Sequence, residues 1–145
     1  MAFKHVIVAT DFHDCSQAAV EHAIELARTD DAALTVVHAF DLPHRSMSLS
    51  LSPLTGELMT ALEDQAQVQL EKALVPIRAR LPGAKGVVRF GSPGEEILEV
   101  AREQGADLIV VGTHGHKSLP RALLGSSAEK VIRLSPIPVL TVHGP

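Results

Sequence analysis

Gly112-Thr113-His114-Gly115 ends an apolar run, Val110-Val111, and nine residues further on stand Gly125, Ser126 and Ser127. Glycine admits positive φ and lets an anion approach the main chain closely, while a helix start offers unpaired N–H groups and a partial positive charge. The hydroxyls of Ser126 and Ser127 add two donors. Phosphate is the anion this arrangement suits, although glycines at such spacing also serve plain turns and helix caps. A second polar group, Thr10 and Asp11, follows the apolar run Val6-Ile7-Val8-Ala9. Asp11 is either an acceptor for a ligand or a cap for its own turn. Lys117 and Arg121, inside the glycine loop, either pair with phosphate charge or face water. His114 and His116 stand two apart, but no further donors converge on them in the sequence, so no metal site is assigned. Lys117-Ser118 lacks the preceding glycine that a Walker loop requires, and a dinucleotide fingerprint is missing.

The composition narrows the setting of this chemistry. At 145 residues with 46% hydrophobic content, the chain suits one domain, 1–145, with a substantial core. A net charge of −4, no Trp or Tyr and only four Phe leave neither a broad basic surface nor the usual base-stacking platforms, which argues against nucleic acid as a partner. The single cysteine, Cys15, allows no intrachain disulfide and fits a reducing compartment. Its position at the start of the first helix suits a packed, inert thiol. The apolar runs are strand-length, far short of the roughly 20 residues that span a bilayer, and the N-terminus has no signal-peptide pattern. A cytoplasmic protein with no membrane partner is expected.

Positioning these groups requires strands that end at the polar residues. Val6–Ala9, Leu34–Val37, Leu108–Val111 and Val139–Val142 are continuous apolar or β-branched runs, and Val87–Phe90 makes a fifth. Continuous apolarity fits strands covered on both faces, as in a parallel sheet. Helical periodicity separates them. The first helix is expected over 15–29 with Asp14 as N-cap and Ala19, Ala23, Ile24 and Ala27 turned inward. A second covers about 57–81 with an inward row from Leu58 to Leu81, and Pro76 should kink or interrupt it. A third starts at Pro93 and closes at Gly105. The last spans about 126–134. The serine-rich segment 45–53, between Pro43 and Pro53, reads as a partly ordered flap, and His38 as a hydrogen-bonded core or cavity residue.

The order β-α-β-α-β-α-β-α-β with right-handed crossovers gives an α/β domain: a five-stranded parallel sheet with helices on both faces, Rossmann-like. Ligands of such sheets bind at the carboxyl ends of strands, where the winding direction changes. Thr10-Asp11 and Gly112 both follow strands and would meet there.

These residues resemble the universal stress protein family over essentially the whole length. Gly112, Gly115, Gly125 and Ser126 match its Gly-x2-Gly-x9-Gly-[Ser/Thr] pattern, supported by Thr10-Asp11-Phe12, Gly91–Ile97 and Pro138–Val142. The resemblance implies ATP as ligand, with magnesium or manganese held through its phosphates. It implies that Asp11 accepts from ribose or adenine, that Thr10 shapes that pocket, and that Ala39 lies against adenine with Val111 on the ribose side. Gly112 and Gly115 would then admit phosphate, and Ser126 and Ser127 would bind it. His13 stands where the family often has serine, and Ser127 where it often has valine. The resemblance further implies a nucleotide-dependent regulator in stress response, and a homodimer through the apolar edge 139–142. Slow ATP hydrolysis or self-phosphorylation, and a nucleotide-independent scaffold, are the alternatives.

Overall fold

The computed structural model describes residues 2–41, 52–114 and 123–144. Five strands alternate with four helices: β1 (His5–Ala9), α1 (Asp14–Asp30), β2 (Ala33–Phe40), α2 (Ser52–Arg80), β3 (Lys85–Phe90), α3 (Pro93–Gln104), β4 (Leu108–Gly112), α4 (Ser126–Leu134) and β5 (Val139–Val142). The sheet is parallel throughout, in the order β3-β2-β1-β4-β5. The chain therefore winds outward one way from β1 to β3 and the other way from β4 to β5. The change of direction falls between β1 and β4, where Val8 stands opposite Val110.

Side-chain alternation divides the core into two layers. Val6, Val8, Leu34, Val36, Leu108 and Val110 pack under α1 and α2. Ile7, Val37, Ile109 and Val111 point the other way, against α3 and α4. Both faces being covered explains the unbroken apolar runs in the central strands.

The inward row of α1 is as expected, with Ala19, Ala23, Ile24 and Ala27 all buried. Its start is not. His13 occupies the N-cap position, Asp14 is already helical, and no side chain caps the helix. The inward row of α2 holds in its second half, where Ala66, Leu70, Leu74 and Ile77 are buried, while Leu58 remains 44% exposed. This helix begins at Ser52, so Pro53 lies in its first turn, where a missing N–H costs nothing, rather than closing a flap. Residues 45–51 of the expected flap lie outside the described residues. Pro76 does not interrupt α2. Buried Leu74 and Ile77 on either side of it hold the helix to the sheet and offset the lost backbone bond. Helix α3 follows the sequence closely: Pro93 opens it and Gly105, at φ 63°, closes it in the left-handed conformation.

At the amino end of the sheet Asp107 fastens β1 to the α3–β4 turn. Its carboxylate accepts the N–H of Lys4 at 2.9 Å and that of His5 at 2.9 Å. These bonds, with that from His5 foremost, hold the Asp107 carboxyl below the ordinary carboxylate range. The stabilisation is present above the unfolded-state pKa of about 3.9. It fades as pH falls through the depressed folded value. Asp107→Asn is expected to cost about 1 kcal/mol at pH 7. In urea unfolding the deficit should shrink as pH falls below about 4, and a deficit that stays the same size as pH falls would refute this account.

Candidate functional site

The β1–α1 turn is built around one residue that the sequence did not single out. Ser16, buried in the first turn of α1, brings its hydroxyl to 2.7 Å from Asp11 Oδ1 and 2.9 Å from the His13 carbonyl oxygen. The Asp11 N–H donates back to Ser16 Oγ at 3.2 Å, and the His13 N–H donates to Asp11 Oδ1 at 3.0 Å. Asp11 thus braces its own turn through Oδ1, while Oδ2 takes no hydrogen bond among the described residues. Thr10, 8% exposed, gives its N–H to the Val37 carbonyl and accepts the Phe12 N–H at its hydroxyl. Phe12 sits at φ 68°, in the left-handed region that non-glycine residues rarely adopt.

That unusual backbone turns the Phe12 ring onto His38, with centroids 4.4 Å apart. His38 donates from Nδ1 to the Thr10 carbonyl at 2.8 Å and stacks on Phe40, which meets Phe90 edge-on. His38 is therefore a half-buried, hydrogen-bonded residue, as expected. Three of the four phenylalanines collect at the carboxyl ends of β1, β2 and β3, on the side of α1 and α2. Ala39, half-buried, alternates to the opposite side with Val37.

The end of β4 faces this turn. Gly112 and Gly125 both have negative φ, so positive φ is not why glycine stands at either position. At Gly112 the reason is close approach: a Cβ would lie 3.0 Å from the Cys15 carbonyl oxygen and 3.1 Å from its Sγ. Gly144, after β5, is as tight, with a Cβ falling 2.6 Å from Cys15 Cα. Cys15 is half-buried between these two glycines, which agrees with a packed thiol.

Thr113 joins three elements. Its N–H donates to the Val142 carbonyl at 3.0 Å, and its carbonyl accepts the Gly125 N–H at 2.6 Å. The second bond draws the start of α4 to the end of β4. Gly125 is the N-cap of α4 and no side chain caps the helix, so its first-turn N–H groups keep their donor capacity beside the hydroxyls of Ser126, exposed, and Ser127, half-buried. The structure therefore gathers Thr10, Asp11, Gly112, Gly125, Ser126 and Ser127 around the β1–β4 crevice. Val111 lies beside them, but its side chain is only 3% exposed and belongs to the core under α3 and α4. Gly115, His116, Lys117 and Arg121 lie outside the described residues. Among the described residues no cluster of three metal-ligating side chains occurs, and no helix is long and apolar enough to cross a membrane.

A cavity of about 390 Å³ lies away from this crevice, between α3, α4 and the connection to β5, lined by Leu98, Ala106, Ile109, Leu134, Pro136 and Ile137. Its apolar walls offer nothing to an anion. Of the charged groups at its rim, Glu99 pairs with Arg102 and Glu95 with Lys130.

Comparison with known proteins agrees with this architecture. The universal stress protein family model matches residues 2–143. The universal stress protein MJ0531 of Methanocaldococcus jannaschii is 36% identical, over 99% of this chain and 84% of its own length. The solved structure of MJ0577, from the same organism, superposes with a TM-score of 0.85 at 28% identity, covering 100% of this chain and 99% of that one. A universal stress protein solved in complex with cAMP gives a TM-score of 0.72 at 28% identity, covering 99% and 98% of the two chains. One from Archaeoglobus fulgidus in complex with dAMP gives 0.63 at 25% identity, covering 98% and 99%. With the model matching nearly its full length, this chain belongs to the universal stress protein family.

Proposed function

We propose that this protein binds ATP in the crevice between β1 and β4 and acts as a nucleotide-dependent regulator in stress response. The observation that carries the reading is the Gly125–Thr113 hydrogen bond, which sets the uncapped start of α4 at the end of β4, across from Asp11. A helix start with free N–H groups suits phosphate, and two serine hydroxyls strengthen it. Relatives solved with cAMP and with dAMP support an adenine nucleotide. In this reading Asp11 Oδ2 accepts from ribose or base, Thr10 holds the turn and Ala39 lies against the adenine. Val111 closes the ribose side as part of the core. Gly112, Gly115 and Gly125 admit the phosphates, which Ser126 and Ser127 bind, with magnesium or manganese carried by the phosphates themselves. Regulation follows if the bound and free forms present different surfaces to partners.

Homodimerisation along β5 belongs to the same reading. This strand lies at the sheet edge, and Ile132 and Leu134 beside it are 43% and 52% exposed. Calorimetric titration with ATP and magnesium, coupled to light scattering, tests both. Micromolar affinity is expected, falling about tenfold or more in Ser126→Ala/Ser127→Ala as hydrogen bonds to a charged group are lost. An absence of binding in the parent would end the nucleotide reading, and a monomer at micromolar concentration would end the dimer.

A further inference from the structure

Thr113 is 1% exposed, and its hydroxyl lies 3.2 Å from His114 Nδ1 and 3.3 Å from His143 Nδ1. A hydroxyl has one proton, so it donates to one ring and accepts from the other. The three side chains thus form a single hydrogen-bonded chain in which each ring's orientation depends on the other's. His143 is exposed, and its Nε2 takes no partner among the described residues. The main-chain bond from Thr113 to Val142 ties β4 to β5 without the help of this ring.

The sheet order gives this ring a role. β2, β1, β4 and β5 lie side by side, so the ends of β2 and β5 are three strand spacings apart, roughly 14 Å. A nucleotide with its base at Ala39 on β2 and its first phosphates on α4, beside β4, extends toward β5, where His143 stands. We propose that His143 binds the terminal phosphate of a nucleoside triphosphate through Nε2, with Thr113 as its positioning residue, so that the site favours triphosphate over monophosphate. This rests on the nucleotide reading above and adds to it a preference for the longer ligand.

The experiment is paired titration of the full chain with ATP and with AMP. His143→Ala, which leaves no donor, is expected to weaken ATP about tenfold, the loss of one hydrogen bond to a charged group, and AMP less than twofold. Thr113→Val should weaken ATP in the same selective way, and Thr113→Ser should restore it, because serine returns the hydroxyl. In the parent, the ¹⁵N imidazole signal of His143 should move on addition of ATP and stay in place with AMP, a readout independent of how well any variant folds. Equal weakening of both ligands, an unchanged ATP affinity in His143→Ala, or an unmoved His143 signal would each overturn the proposal. The parent titration alone judges nucleotide binding, so the two readings fail separately.

Discussion

Gly112→Val is expected to cost about 1–3 kcal/mol of folding stability and to take ATP affinity below detection. Both effects come from one contact. The added Cβ would meet the Cys15 carbonyl oxygen at 3.0 Å, and that atom is main chain in the first turn of α1, unable to rotate away. Overpacking of this kind forces backbone shifts and carries a cost in that range. The shift would separate α1 from the end of β4 and so open the crevice between the Asp11 turn and α4, where a displacement of about 1 Å is enough to spoil a positioned site. Urea unfolding and ATP titration of the same sample check the two parts. Gly112→Val with parent-like stability would show that Cys15 does not constrain this position.

Leu74→Ala is expected to be among the most destabilising single changes in the core, costing about 2–5 kcal/mol. That is a large share of the roughly 5–15 kcal/mol of a domain this size. Leu74 is fully buried, and its Cδ1 occupies the space that Gly86 on β3 leaves empty; a Cβ at Gly86 would stand 2.6 Å from it. Gly86→Ala alone should therefore destabilise by about 1–3 kcal/mol through overpacking. In the Leu74→Ala background the tighter of the two contacts is gone and only that with Leu70, whose Cδ2 lies at 2.9 Å, remains, so the double variant should lose less than the sum of the single losses. Additivity within about 0.5 kcal/mol would show that the two residues do not share that volume.

These two cases mark the limit of what the sequence makes legible. All five strands and four helices were visible in it, because burial on both faces leaves unbroken apolar runs, and because Pro93 and Gly105 punctuate α3 through their own backbone chemistry. The meeting of the Asp11 turn with the end of β4 was visible as well, since it follows from strand order alone. The reason for Gly112 was not. Its neighbour Cys15 is distant in the chain, and no spacing rule relates the two. Ser16 went unnoticed because its partners are a side chain and a carbonyl within its own turn, a local bond that hydroxyl residues make in many settings. That α2 runs through Pro76 uninterrupted was hidden for a related reason: the local cost of the proline is real, but the packing of Leu74 and Ile77 lies in the third dimension.

The Gly125–Thr113 bond also determines who meets the entropic cost of closing the eleven residues 114–124. Bringing together the ends of a stretch of that length from the unfolded chain costs roughly 2 kcal/mol, and the cost grows only with the logarithm of length. Here folding itself meets that cost, so an incoming ligand need not. The anchorage at 113 and 125 is also largely indifferent to what lies between. Residues could be added to or removed from this segment, as in a cassette, with little effect on the sheet that carries it.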